Sequence, residues 1–203
     1  VSEKDLDADR RRLLKTALPL ATMACLGCRR LAAQSLAPGE GNRFLEKTGM
    51  TTEETYAFFY ATFIPVLQSL SREMGPERFL AALTKAAGEN VVQMITPMIK
   101  DLPARNIKAL AGLYQSILSA PPQDNALTYE ITEQSDKVLE LRFTACLPAK
   151  LLRAMNAADI GYAIECSTGS AAVKAFNPEM VASNPKNLMK GDSFCIERVE
   201  LQA

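Results

Sequence analysis

Lys186-Asn-Leu-Met-Lys-Gly191-Asp192-Ser-Phe-Cys195-Ile-Glu-Arg-Val-Glu-Leu201 is the stretch on which the fold turns. A Gly-Asp pair leads into a run where Phe194, Ile196 and Val199 stand among polar or charged residues. That is the pattern of a turn feeding a half-buried terminal strand. Cys195 opens the strand beside Asp192, and Cys146 and Cys166 stand at the ends of other predicted elements. Three thiols and one turn carboxylate form the only grouping that suggests chemistry. By itself it specifies no reaction.

Upstream of this stretch the period is mixed. Leu127, Tyr129 and Ile131 alternate with polar residues, a polar turn follows at Glu133–Lys137, and Val138, Leu139, Leu141, Phe143 and Ala145 supply a second strand. Hairpin logic makes the two antiparallel. Pro148 begins a helix, Ala158–Cys166 reads as a helix or an extended segment, and Ala171–Phe176 is short and helical. The order is strand, strand, helix, helix, strand.

Before it the chain is helical. Thr51-Thr-Glu-Glu54 fits a capping box. Phe58, Phe59, Phe63, Ile64, Leu67 and Leu70 follow at helical spacing, with Pro65 expected to kink the helix. A second helix starts at Pro76 and a third at Pro103, ending at Pro121-Pro122. Helices followed by a small antiparallel sheet define an α+β fold. The aromatic and Met stripe of Tyr56, Phe59, Tyr60, Phe63, Met94 and Met98 offers a pocket lining, although such stripes are usually core.

Composition bounds the function. The 203 residues, 48% of them hydrophobic, suit one globular domain of roughly 150 to 170 residues plus an extension. Lys+Arg and Asp+Glu are both 23, so no net field favours nucleic acid. Histidine is absent, which removes His-based triads, His-metal sites and the commonest general base. The five cysteines are too few for a disulfide scaffold, and Cys25-Leu-Gly-Cys28 lacks a second pair for zinc. No metal or cofactor is expected.

At the N-terminus, Asp9-Arg10-Arg11-Arg12-Leu13-Leu14-Lys15 precedes a short apolar run ending near Cys28. This resembles a twin-arginine signal, which is an address read by a receptor. The run is too short to span a bilayer unaided. Residues 1–37 are therefore expected to be signal and linker, residues 38–203 one domain, the translocase a partner, and the location periplasmic or extracytoplasmic. An amphipathic surface helix of a cytosolic protein, or lipidation at Cys28, are the other readings. Export would leave three cysteines, and an odd number leaves at least one free or paired between chains.

A cysteine closing the second strand, a second before a helical Phe-Asn-Pro, and Asn-Leu-Met-x-Gly-Asp-x-x-Cys at the last turn together form a pattern. Over roughly residues 45–201 it resembles the L-2-amino-thiazoline-4-carboxylic acid hydrolase family. The resemblance implies ring opening of a small cyclic C–N/C–S substrate by water, giving an N-carbamoyl cysteine in the family reaction. Vinyl-reductase-type sensor domains end in a similar Gly-Asp-x-x-Cys strand, so a non-catalytic small-molecule-binding module is the alternative, and an accessory protein a third. Family members often carry an acidic residue two or three positions after the second cysteine. This chain has Thr168 and Gly169 there.

On this reading the catalytic candidates are Cys166, Cys195, Asp192 and Cys146. Cys166, at a helix end before Ser167-Thr-Gly-Ser170, is the candidate nucleophile toward an amidine-like carbon. Cys195 and Cys146 are equally readable as small core residues. Asp192 is a candidate base or a turn former. Arg142, Arg153 and Arg198 are candidate clamps for a substrate carboxylate. Each is equally readable as a solvated charge.

Overall fold

The computed structural model describes residues 49–202. The expectations about the signal, the linker and a boundary at residue 37 lie outside those residues.

Helix α1 (Thr52–Met74) starts on the expected capping box. The Glu54 amide donates to Thr51 Oγ1 at 3.2 Å and the Thr51 amide donates to Glu54 Oε2 at 2.7 Å, so donors left free at a helix start are satisfied. The helix continues past Pro65 and stops at Gly75, and Pro76 opens α2 (Pro76–Ile99). Helix α3 (Ile107–Leu118) begins later than expected. Asn106 Oδ1 accepts from the Ala109 amide at 2.9 Å, a cap that Pro103 has no side chain to provide.

One helical turn, α4 (Gln123–Ala126), leads into the hairpin of β1 (Leu127–Gln134) and β2 (Val138–Cys146). Next come α5 (Leu147–Ala154), α6 (Ala158–Gly161), a π-helical turn (Tyr162–Cys166) and α7 (Thr168–Phe176). Strand β3 (Met180–Lys186), a 3-10 turn (Leu188–Lys190) and β4 (Cys195–Leu201) complete the α+β fold. The sheet is antiparallel in the order β1-β2-β4-β3, which places the last strand of the chain in its interior.

Two expectations are corrected. The stretch after Asn177-Pro178 forms β3, an edge strand that tolerates Pro185 and a polar run, features that read as loop in sequence. The inward side of β4 is also different. Leu139 pairs with Val199, Leu141 with Glu197 and Phe143 with Cys195, so the core-facing series is Cys195, Glu197, Val199 and Leu201. Ile196 lies on the opposite side, with Arg198 and Glu200.

Two apolar cores result. One joins Ile95 and Ile99 of α2, Leu110 of α3, Leu139 and Leu141 of β2, and Phe176 of α7. The other joins Tyr60 and Ile64 of α1, Leu152 of α5, Ile160 and Met189. Among the described residues no helix is long and apolar enough to cross a membrane.

Candidate active site

The 3-10 turn before β4 is held by its own polar atoms. Gly191 takes φ +102°, a conformation that side chains resist, and Asp192 Oδ2 accepts from the Asn187 amide at 2.7 Å. Asn187 is buried, and its Oδ1 accepts from the Met189 amide at 2.8 Å. Asp192 is therefore engaged in shaping the turn, and it does not line the cavity described below. The turn aims the Leu188 amide at Cys195 Sγ, 3.1 Å away, while Cys166 Sγ faces Asn187 Oδ1 at 3.7 Å.

Cys166 ends the π-helical turn, a widened turn in which the Ser167 amide donates to the Tyr162 carbonyl five residues back. Such turns are frequent at functional sites. Cys146, Cys166 and Cys195, from three separate elements, all line one cavity of about 650 Å³ between the two cores. All three thiols are free. Burial pushes Cys166 up to about 12 and Cys146 up to about 11, and it raises Cys195 as well. Among the described residues no three His, Cys, Asp or Glu side chains are arranged to share a metal ion.

Two carboxyls open on the same cavity, and neither was singled out from sequence. Glu197, half-buried on β4, accepts a short hydrogen bond from the Tyr114 hydroxyl of α3. Removal from water raises its pKa above the ordinary 4.5. Glu165 accepts from the Tyr60 hydroxyl at 2.8 Å. Glu165 remains accessible, yet the protein around it solvates charge less well than water and raises its pKa too. In both pairs, burial and the neighbouring carboxyl also hold the tyrosine far above its usual range.

Gly169 makes room for Glu197. A Cβ at that position would lie 2.8 Å from Glu197 Oε1. Position 169, which has no carboxyl of its own, thus stands against one supplied by β4. A buried-face glutamate at an inward position of β4 was the available signal, but a charged residue in an alternating strand reads as outward.

The three arginines stand elsewhere. Arg142 lies 3.6 Å from Glu130 and 4.5 Å above the Phe194 ring. Arg198 binds Glu133, Glu140 and Glu200 on the side of the sheet away from the core. Arg153 donates to the Leu188 carbonyl at 3.3 Å and borders a second hollow with Lys150; Cys146 is a wall common to both hollows. Of the aromatic and Met stripe, Tyr56, Met94 and Met98 line the main cavity, Tyr60 is core, and Phe59 and Phe63 are exposed.

The family model described as L-2-amino-thiazoline-4-carboxylic acid hydrolase matches residues 55–198. Similar solved structures include the Fe(II) unliganded H-NOX protein from K. algicida, at 13% identity and TM-score 0.45, covering 71% of this chain and 74% of that one. Another is the phenol-responsive sensory domain of the transcription activator PoxR with phenol, at 11% identity and TM-score 0.46, covering 75% of each chain. Among curated proteins none matches.

Proposed function

The chain belongs to the L-2-amino-thiazoline-4-carboxylic acid hydrolase family, and from that premise we propose that it opens a small cyclic amidine by adding water, with Glu197 and Glu165 moving the protons. The observation that carries this is Glu197, held by Tyr114 against Gly169 on the wall that also bears Cys166 and Cys195. A carboxyl whose hold on its proton is strengthened by burial is suited to proton transfer.

In the proposed step, water attacks the amidine carbon and passes one proton to a carboxylate. The ring nitrogen takes a proton from the second carboxyl; as the tetrahedral carbon collapses, its hydroxyl proton returns to that group, the ring C–S bond breaks, and the departing sulfur takes the proton held by the first. Water is the only co-reactant. The products are a urea-type carbonyl and a new thiol.

The thiols enter this reading as wall. Burial pushes the Cys166 thiol up to about 12, which keeps it largely in the thiol form at neutral pH and disfavours a thiolate mechanism. Thiol release from 2-aminothiazolines by the full chain tests the proposal. Expected is release that survives Cys166→Ser within about tenfold and falls by about 10²- to 10⁴-fold in Glu197→Gln. The opposite order would transfer the chemistry to the thiol.

Raised thiols and a largely apolar wall, including Met94 and Met98, also suit a module that binds without turnover. Thermal stabilisation by a ligand that emerges unchanged would support it. Export by the twin-arginine route belongs to the proposal as well. Loss of translocation on replacing Arg10 and Arg11 by lysine would support it, and unchanged secretion would remove it.

A further inference from the structure

The charges on the cavity wall have a single sign. Among the described residues, its ionisable lining other than thiols and phenols consists of Glu165 and Glu197, with no Lys or Arg. The neighbouring cations are held elsewhere: Arg142 on Glu130, Arg198 on three carboxylates, Lys190 over the Tyr162 ring at 3.9 Å, and Lys150 on Glu53 at 2.7 Å. A ligand carboxylate inside would lose its water and gain no counter-ion beside two acidic groups. An amidine suits the wall better, because its N–H groups are donors and the carboxyls are acceptors.

Volume adds a second constraint. About 650 Å³ is within the usual range for a drug-sized ligand, and a bare five-membered ring fills only a small part of it. The remaining wall is largely apolar, with Leu113, Phe143 and Val173 among its members, and its other polar side chains, Ser116, Gln123, Thr168, Asn184 and Asn187, carry no charge. The apolar space calls for an apolar substituent where the family's namesake carries a carboxylate.

We infer that the cavity takes an uncharged or protonated cyclic amidine bearing an apolar substituent and discriminates against ring carboxylates. The ring amidine rests on the hydrolase reading above; the charge preference rests on the wall alone. The second hollow, bordered by Arg153, would hold a carboxylate away from Glu165 and Glu197.

The test compares 2-amino-4-phenyl-2-thiazoline, 2-amino-2-thiazoline and L-2-amino-thiazoline-4-carboxylate on the full chain. Binding is read by calorimetry and thermal shift, and turnover by thiol release. The phenyl compound is expected to bind at least about tenfold more tightly than the carboxylate, with the parent ring between them. Tighter binding of the carboxylate overturns the inference, and its loss in Arg153→Met would locate the clamp in the second hollow. No binding of the phenyl compound also overturns it. Phenyl binding without thiol release keeps the charge preference and removes the hydrolase reading. Carboxylate opened with preference does the reverse.

Discussion

Glu197 and Glu200 stand three residues apart on β4, on opposite sides of one sheet, and chemistry separates them completely. On the outer side Glu133, Glu140 and Glu200 share Arg198, and the guanidinium holds Glu140 below its ordinary pKa. On the inner side Glu197 meets no cation among the described residues. A tyrosine hydroxyl is its partner, and burial pushes its pKa up. The outer face ties its three carboxylates to one guanidinium at the surface. The inner face gives one carboxyl a hydroxyl partner and a raised pKa, the setting that the proposed proton transfer uses. The same side chain acquires its role from which way an alternating strand points it.

The sharpest way to break this comparison is a matched pair of substitutions. Glu197→Gln preserves the acceptor for Tyr114 and is expected to reduce turnover by about 10²- to 10⁴-fold, while Glu200→Gln changes it by less than about twofold. Equal effects would dissolve the distinction between the faces. Urea melts of both variants verify that the fold is retained.

A second effect concerns space. Gly169→Ala brings a methyl to 2.8 Å from Glu197 Oε1, and something must move. The expected cost is about 1–3 kcal/mol in urea unfolding, in the range of overpacked sites. Combining it with Glu197→Ala should recover much of that loss. An additive double mutant would mean that the two groups do not press on each other.

The pH dependence of stability sharpens the contrast further. Glu197 has a folded pKa above its unfolded one, so its burial costs nothing below the ordinary 4.5. The penalty then grows as pH rises through the folded value. Thermal melts should therefore show Glu197→Gln gaining on the wild type from acid toward neutral pH. Glu140 has the opposite sign: its depressed folded pKa contributes stability above the ordinary 4.5 that disappears as pH falls through the folded value. Glu140→Gln should lose ground to the wild type over the same rise. Parallel curves would refute the assignment.

The smallest effect is on the outer face itself. Arg198→Met should lower the melting temperature slightly at low salt, and the difference should shrink in about 1 M salt, where exposed charges are screened. A loss that persists at high salt would mean that packing, rather than charge, holds that face.

Much of the scaffold was legible in the chain. Thr51 and Glu54 announced a helix start, the alternation at Leu127–Ile131 and Leu139–Phe143 announced a hairpin, and Gly191-Asp192 announced the final turn. These features depend on neighbours within a few residues. The edge strand β3 was missed because Asn184 and Pro185 are acceptable only where one side of a strand is unpaired, and edge position is a property of the whole sheet. The thiols were legible as candidates, but their elevated pKa values depend on what encloses them.

The chain alone determined the cap of the first helix, the hairpin, the closing turn and the family, because such caps and periodicities are local and a motif is a local string. Tertiary structure decided the upward shift of the Glu197 pKa, the cavity that carboxyl opens on and the placement of the arginines away from that cavity. The reason is distance along the chain. Tyr114 is 83 residues from Glu197 and Tyr60 is 105 residues from Glu165. A carboxyl's affinity for its proton is set by the groups that displace water from it, and here those groups are brought by elements that only folding assembles.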